Sequence, residues 1–181
     1  MTLEDEKKKK TPRKMTKIRL KNIALYYLKR FESSVQNLRD VLKRRVDAYA
    51  FQIPEFDKKE AYAWIEEILK DCENWHYLDD ERYTKLKIRD YLNAGKPKRY
   101  IENKLRQKGI SAPIDAFLED EEYDPHLMAQ KMMKKKKMGP YRTEMRKEFY
   151  AKDLASLVRA GFDYDLASEV LAENLDDQPD F

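Results

Sequence analysis

The chain has 181 residues, of which 40% are charged and only 4 are glycine. This composition favours helices with charged outer faces over a β-sheet. The single cysteine, Cys72, excludes an internal disulfide and a cysteine-based zinc site, and no apolar run approaches the roughly 20 residues that span a bilayer. We therefore expect an all-α, cytoplasmic protein with no membrane segment and no signal peptide.

The charge is unevenly distributed along the chain. Residues 1–17 hold seven bases and three acids and are expected to form a disordered basic tail. Residues 18–162 hold 31 bases and 24 acids, whereas only acids, seven of them, follow Arg159. A basic body with an acidic end suits a polyanion or an acidic protein partner, although ordinary solvated helix faces would give the same totals.

Apolar residues at helical spacing predict three helices in the first part of the chain. The first covers about Thr16–Phe31, and Ser33-Ser34 then stops it and caps the second. Pro54 ends the second helix. Asp57 with Glu60 predicts a capping box at the start of the third.

Six shorter helices are predicted after residue 76. The acids Asp79-Asp80-Glu81 suit the start of the fourth helix, where carboxylates are favoured by the helix dipole. A sixth helix is expected to start at Ser111 and Pro113, and a ninth at Asp163. Two other helices are expected to start at Pro97 and Pro125. Helix ends are expected at Gly95, Gly109 and Gly161.

One pattern recurs 52 positions downstream: Leu105-x-x-x-Gly109-Ile110 resembles Leu157-x-x-x-Gly161-Phe162. A weaker echo in the second helix, at Leu38 and Leu42, lacks the glycine. Stacked copies predict an elongated, curved array of three three-helix repeats, with about nine helices in all. The predicted segments are 1–17 (basic tail), 18–75, 76–120 and 121–175 (first, second and third repeats) and 176–181 (acidic, frayed end).

Residues suited to catalysis are few. His76 and His126 have no partner at metal or triad spacing, and there is no glycine-rich phosphate loop. The three acids at 79–81 would suit Mg²⁺, but at a helix start they point in different directions, so capping explains them better. Lys108 is either a ligand contact or a cation favoured by a helix end. We expect no catalytic residue, no metal and no cofactor.

Basic residues of the second and fifth helices form the candidate partner-binding face. Residues 79–108, predicted to form a helix, a turn and a basic helix, also resemble a helix-turn-helix DNA-binding motif. Only Asn103 and Gln107 in the basic helix suit base reading, so phosphate contact is plausible and sequence readout is unsupported. The candidate residues are Arg39, Lys43, Arg44, Lys98, Arg99, Lys104, Arg106 and Lys108.

Five motifs follow one another along the chain. They are Ala24-Leu25-Tyr26-Tyr27-Leu28, Leu38-Arg39-x-x-Leu42, Tyr77-Leu78-Asp79-Asp80-Glu81-Arg82-Tyr83, Ile101-x-x-x-Leu105-Arg106-x-Lys108-Gly109-Ile110 and Arg159-Ala160-Gly161-Phe162. In this order, over roughly residues 20–172, they resemble the RecX family, the bacterial regulators of the RecA recombinase. The long second helix and the turn at 54–57 resemble its alphaproteobacterial branch. The motif residues with an expected structural role are Leu78, Asp79, Asp80, Arg82, Tyr83, Leu105, Gly109 and Gly161.

The resemblance implies a nine-helix, three-repeat protein that binds in the groove of the RecA–DNA filament. We expect the chain to be a monomer. The resemblance also implies inhibition of filament growth, strand exchange and the associated ATP hydrolysis, in the regulation of DNA repair, recombination and the SOS response. The implied mechanism is occlusion, with the protein bridging neighbouring protomers and reaching toward the DNA backbone. A general DNA-binding helical module that acts without RecA is the alternative, and an enzyme is a third hypothesis.

Overall fold

The computed structural model describes residues 12–143 and 145–172, where the regular elements are nine α-helices and one 3-10 turn. The all-α prediction is confirmed for these residues. The chain divides into two compact units, Met1–Asp79 (the N-terminal unit) and Asp80–Phe181 (the C-terminal unit). Most of the predicted tail, residues 1–11, and all of the predicted frayed end lie outside the described residues. The division into three repeats stays a prediction.

The N-terminal unit packs three helices around one apolar core. They are α1 (Lys17–Leu28), α2 (Val35–Gln52) and α3 (Lys58–Asn74). Side-chain oxygens cap their starts as predicted, because Ser34 Oγ accepts the amide of Asn37 at 3.2 Å and Asp57 Oδ1 accepts that of Lys59 at 2.8 Å. Buried core residues from the three helices include Leu20, Leu38, Leu42, Ile65, Ile68 and Cys72. Burial raises the pKa of the Cys72 thiol.

The first helix ends at Leu28, three residues before the predicted end at Phe31. The amides of Arg30 and Phe31 both donate to the carbonyl of Tyr27, each at 3.0 Å. Because this one carbonyl accepts hydrogen bonds from two successive amides, the last turn is tighter than an α-helical turn, and the α-helix ends there. Ser33 and Ser34 that follow are fully buried.

The C-terminal unit builds its core from six helices. They are α4 (Asp80–Asn93), α5 (Lys98–Arg106), α6 (Asp115–Asp120), α7 (Pro125–Lys136), α8 (Arg146–Ala160) and α9 (Tyr164–Ala172), with the 3-10 turn Gly139–Tyr141 between α7 and α8. The largest fully buried side chains are Ile88, Ile101, Leu105, Ile114, Met133 and Leu157. The sixth helix begins at Asp115 rather than at Ser111 or Pro113 and has only 6 residues.

The two copies of the recurring pattern share one local structure. Gly109 and Gly161 both have positive φ, 80° and 108°, just after α5 and α8. The following amides then reach back five residues, from Ile110 to the Leu105 carbonyl at 3.0 Å and from Phe162 to that of Leu157 at 3.2 Å. The side chains of Ile110 and Phe162 are buried in the core. The prediction that these glycines end helices is confirmed.

Non-glycine residues also take this position at the ends of α6 and α7. Glu122 follows α6 with φ 50°, and Lys137 follows α7 with φ 53°. The next amides, of Tyr123 and Met138, again reach back to the carbonyls of Leu118 and Met133, both at 2.9 Å. The sequence did not predict these caps, because neither residue type favours a left-handed backbone.

Gly161→Ala should destabilise the C-terminal unit by about 1–3 kcal/mol. A Cβ at Gly161 would lie 3.5 Å from its nearest neighbours, which is ordinary contact, so the cost comes from the backbone angle rather than from a clash. Lys137→Gly makes the reverse change and should be neutral or stabilising by up to about 1 kcal/mol. Urea denaturation measures the change in the free energy of unfolding for both variants. If the Gly161→Ala variant is as stable as the unsubstituted chain, the expectation is wrong.

A buried ion pair ties α8 to the 3-10 turn. Asp153 is 3% exposed, and its carboxylate accepts the Gly139 amide at 2.9 Å and Arg142 Nη2 at 2.9 Å. A buried carboxylate without such partners would be costly. The pair therefore holds the middle of α8 next to the end of α7.

Candidate functional site

The predicted basic residues of α2 do not form one open face. Arg39 donates to the Glu66 carboxylate on α3, with Nε–Oε1 at 2.9 Å and Nη2–Oε2 at 3.0 Å. This hydrogen bonding lowers the pKa of Glu66 and raises that of Arg39. Lys43 Nζ lies 5.5 Å from the centroid of the Tyr62 ring on α3. The charge of Arg39 is thus compensated within the unit.

Arg44 lies on the α1 side of α2 instead. It lines an open cleft of about 580 Å³ between α1 and α2, whose other lining residues are Ile23, Tyr26, Tyr27, Arg30, Phe31, Val41, Arg45 and Ala48. Helical spacing explains the split, because residue 44 is five positions from residue 39 and points well away from it.

Lys98 at the start of α5 links two helices of the C-terminal unit. Its Nζ forms an ion pair with Asp115 at the start of α6 and lies 3.8 Å from Glu102. The hydrogen bond to Lys98 lowers the pKa of Asp115 and raises that of Lys98. The Lys98 amide donates to the Tyr123 hydroxyl at 3.0 Å. These contacts favour a structural role for Lys98.

Three other predicted cations of α5 have no carboxylate partner among the described residues. Lys104 Nζ donates to Gln107 Oε1 and Arg106 Nη1 to Asn103 Oδ1, both at 3.3 Å, and these acceptors are neutral amides. Arg99 is exposed. Lys108 is half-buried beside Gly109, and its role stays a prediction. Uncompensated charge on α5 is therefore concentrated at Arg99, Lys104 and Arg106.

The motif at residues 77–83 crosses the boundary between the two units. Leu78 is buried in the core of the N-terminal unit, and Tyr83 is buried in that of the C-terminal unit. Asp79 directly precedes α4, Asp80 is its first residue, and Arg82 is exposed. Within residues 12–143 and 145–172, no group of three His, Cys, Asp or Glu is placed to hold a metal ion.

A basic cleft in the C-terminal unit was not predicted from the sequence. It has a volume of about 470 Å³ and is lined by Lys96, Tyr100, Met132, Lys136, Ser156, Arg159 and Ala160. The end of α8 lies close to the start of α5, with the Cβ position of Gly161 3.5 Å from Pro97 Cγ and from the Tyr100 nitrogen. The lining comes from α5, α7, α8 and the loop before α5, so no sequence spacing indicates it.

The comparisons with known proteins agree on one family. The family model for the second three-helix domain of RecX matches residues 79–114. Regulatory protein RecX of Myxococcus xanthus is 36% identical over 181 residues, covering 94% of this chain and 95% of its own length. That of Vibrio campbellii is 31% identical over 60% of this chain and 69% of its own length, and that of Agrobacterium fabrum 26% identical over 88% and 85%. No solved structure matches the chain significantly.

Two further observations concern where the matched domain begins and whether any helix could cross a membrane. The matched domain begins at residue 79, one residue before α4, where the second compact unit starts. None of the helices in the described ranges has the length and apolar character needed to cross a membrane. Because the Myxococcus xanthus relative aligns over nearly the whole of both chains, the resemblance in the ordered motifs is confirmed, and the chain belongs to the RecX family of regulatory proteins.

Proposed function

We propose that this chain is a non-enzymatic regulator that binds the RecA–DNA filament and inhibits the recombinase. The observation that carries the proposal is the 36% identity, over nearly the full length, with a protein named Regulatory protein RecX. The inhibition is physical: a monomer of three helical repeats lies in the filament groove, blocks growth of the filament and reaches toward the DNA backbone. This role belongs to the regulation of DNA repair and recombination in the cytoplasm.

The charge distribution on α5 supports this helix as a contact with the filament. Arg99, Lys104 and Arg106 have no carboxylate partner among the described residues, so their charges are available to an anionic surface. Opposite charges across an interface favour encounter and set its register. Arg39 and Lys98 are less suited, because each is already paired with a carboxylate of its own unit.

The test is RecA-catalysed strand exchange and ATP hydrolysis with this chain added in stoichiometric amounts. Both rates should fall when the chain is added to preformed filaments, and RecA should co-purify with the chain on DNA. Unchanged rates in both assays would contradict the proposal.

A DNA-binding module that acts without RecA is the second candidate, favoured by the surplus of bases in residues 18–162. Such a module would bind bare DNA tightly, with an affinity that falls steeply with salt. It would also inhibit an unrelated DNA-dependent ATPase as strongly as RecA. Inhibition of RecA alone, at a salt concentration where bare DNA is not bound, favours the filament regulator.

A further inference from the structure

The basic cleft of the C-terminal unit brings together three cations without a counter-charge. Lys96, Lys136 and Arg159 line it, and no carboxylate does. None of the three forms an ion pair with any described residue, and Arg159 Nε donates to the backbone carbonyl of Ala155 at 3.1 Å. Like charges that converge in one concave site repel one another and concentrate a positive potential there, and a bound anion relieves that repulsion.

The neutral residues of the cleft indicate which class of anion it would bind. Two ammonium groups lie near the Tyr100 ring, with Lys96 Nζ at 4.8 Å and Lys104 Nζ at 5.6 Å from its centroid. Tyr91 packs on it edge to face, with the centroids 5.5 Å apart. The half-buried Ser156 adds a hydroxyl donor. An oriented aromatic ring beside several cations and a hydroxyl suits a ligand that carries both a flat base and a phosphate.

The size of the cleft fits the same class of ligand. Its volume of about 470 Å³ lies within the roughly 300–1,000 Å³ typical of small-molecule sites. The carboxylates of an acidic peptide could pair with the cations, but they supply no flat group to contact the Tyr100 ring. The charge, the ring and the volume together therefore favour a nucleotide over a carboxylate-bearing segment.

We propose that this cleft is a nucleotide site, in which Lys96, Lys136 and Arg159 hold a phosphate group and Tyr100 contacts the base. The phosphate belongs either to a free nucleotide or to one unit of a single strand. The site is distinct from the exposed cations Arg99 and Arg106 of α5, and its occupancy does not require RecA. Failure of this proposal would leave the proposed regulatory function untouched.

The test measures binding of two fluorescent probes to the full chain, without RecA, by anisotropy. The probes are a labelled oligothymidylate and a labelled ATP analogue. The cleft variant carries three charge reversals (Lys96→Glu, Lys136→Glu and Arg159→Glu). The matched control variant carries three reversals of exposed lysines outside the cleft that have no ion pair with a described residue (Lys134→Glu, Lys135→Glu and Lys147→Glu).

The cleft variant should lose at least about tenfold in affinity for the probe that binds, because charge-assisted hydrogen bonds to the phosphate are lost. The control variant has the same net charge and should lose less than about threefold, since exposed charges away from the ligand act through screened solvent. For the oligothymidylate, the slope of log affinity against log salt should fall by about 0.7, because one phosphate contact is lost. Tyr100→Leu should weaken binding by about tenfold without changing that slope.

The better probe identifies the source of the phosphate, a free nucleotide or a strand. Three results would overturn the proposal: no binding of either probe, equal losses in the cleft and control variants, or polyglutamate that competes as well as the oligonucleotide and is insensitive to Tyr100→Leu. If circular dichroism shows that the triple cleft variant is unfolded, the double variant Lys136→Gln/Arg159→Gln replaces it. Both of its side chains are exposed, and the same outcomes apply.

Discussion

Replacing Leu105 by alanine should lower the free energy of unfolding of the C-terminal unit by about 2–5 kcal/mol. Leu105 is 1% exposed and lies in the core with Ile101 and Ile114. Truncation removes buried methyl groups and leaves a cavity that the surrounding helices fill only in part. The backbone bonds at the end of α5 use the Leu105 carbonyl and stay available, so the loss reports on packing.

The control for this prediction is Leu86→Ala on α4, whose side chain is 43% exposed. Its expected effect is within about 0.5 kcal/mol, as for most exposed positions. Urea denaturation followed by circular dichroism gives both values. Equal effects of the two substitutions would mean that Leu105 does not belong to the core.

Reversing Arg99, Lys104 and Arg106 to glutamate should weaken inhibition of the RecA filament, with at least about tenfold more protein needed for half-inhibition. The three side chains make no ion pair with a described residue, so the fold loses two hydrogen bonds to amides and the contact of Lys104 Nζ with the Tyr100 ring. New carboxylates on this face would repel an anionic surface that the cations attract. The measurement is a titration of strand exchange, with circular dichroism as the check on folding.

The Lys134→Glu/Lys135→Glu/Lys147→Glu variant serves as the control here as well, because it changes the net charge equally on α7 and α8 of the same unit. It should inhibit nearly as well as the unsubstituted chain. If the α5 variant still inhibits while its circular dichroism is unchanged, the basic face of α5 is not the contact. If both variants lose inhibition equally, net charge rather than a located surface governs binding.

Features that rest on neighbouring residues were predicted well. Ser34 and Asp57 cap helices, and Gly109 and Gly161 end them, because each acts on backbone groups a few residues away. The misses at this level have local causes too. The doubled acceptor at Tyr27 shortens α1, and Lys137 takes a backbone conformation that its residue type does not favour.

The sequence alone does not distinguish paired from unpaired cations, because their partners depend on how the helices pack. Arg39 meets Glu66 because α2 packs on α3, and Lys98 meets Asp115 because the starts of α5 and α6 lie together. Neither pairing follows from a repeat or a capping rule. Charge counts and helical faces could therefore nominate the candidate residues but could not separate the paired cations from the unpaired ones.

The sequence by itself determined the all-helical class, most helix ends and, through the order of its motifs, the family. These depend on interactions that span four or five residues, or on residue order alone. Only the tertiary structure decided that Arg39 and Lys98 are engaged and that Lys96, Lys136 and Arg159 surround one cleft. Those three cations are separated by 40 and 23 positions. They meet because apolar burial packs α7 and α8 against the start of α5, and no local pattern encodes that packing.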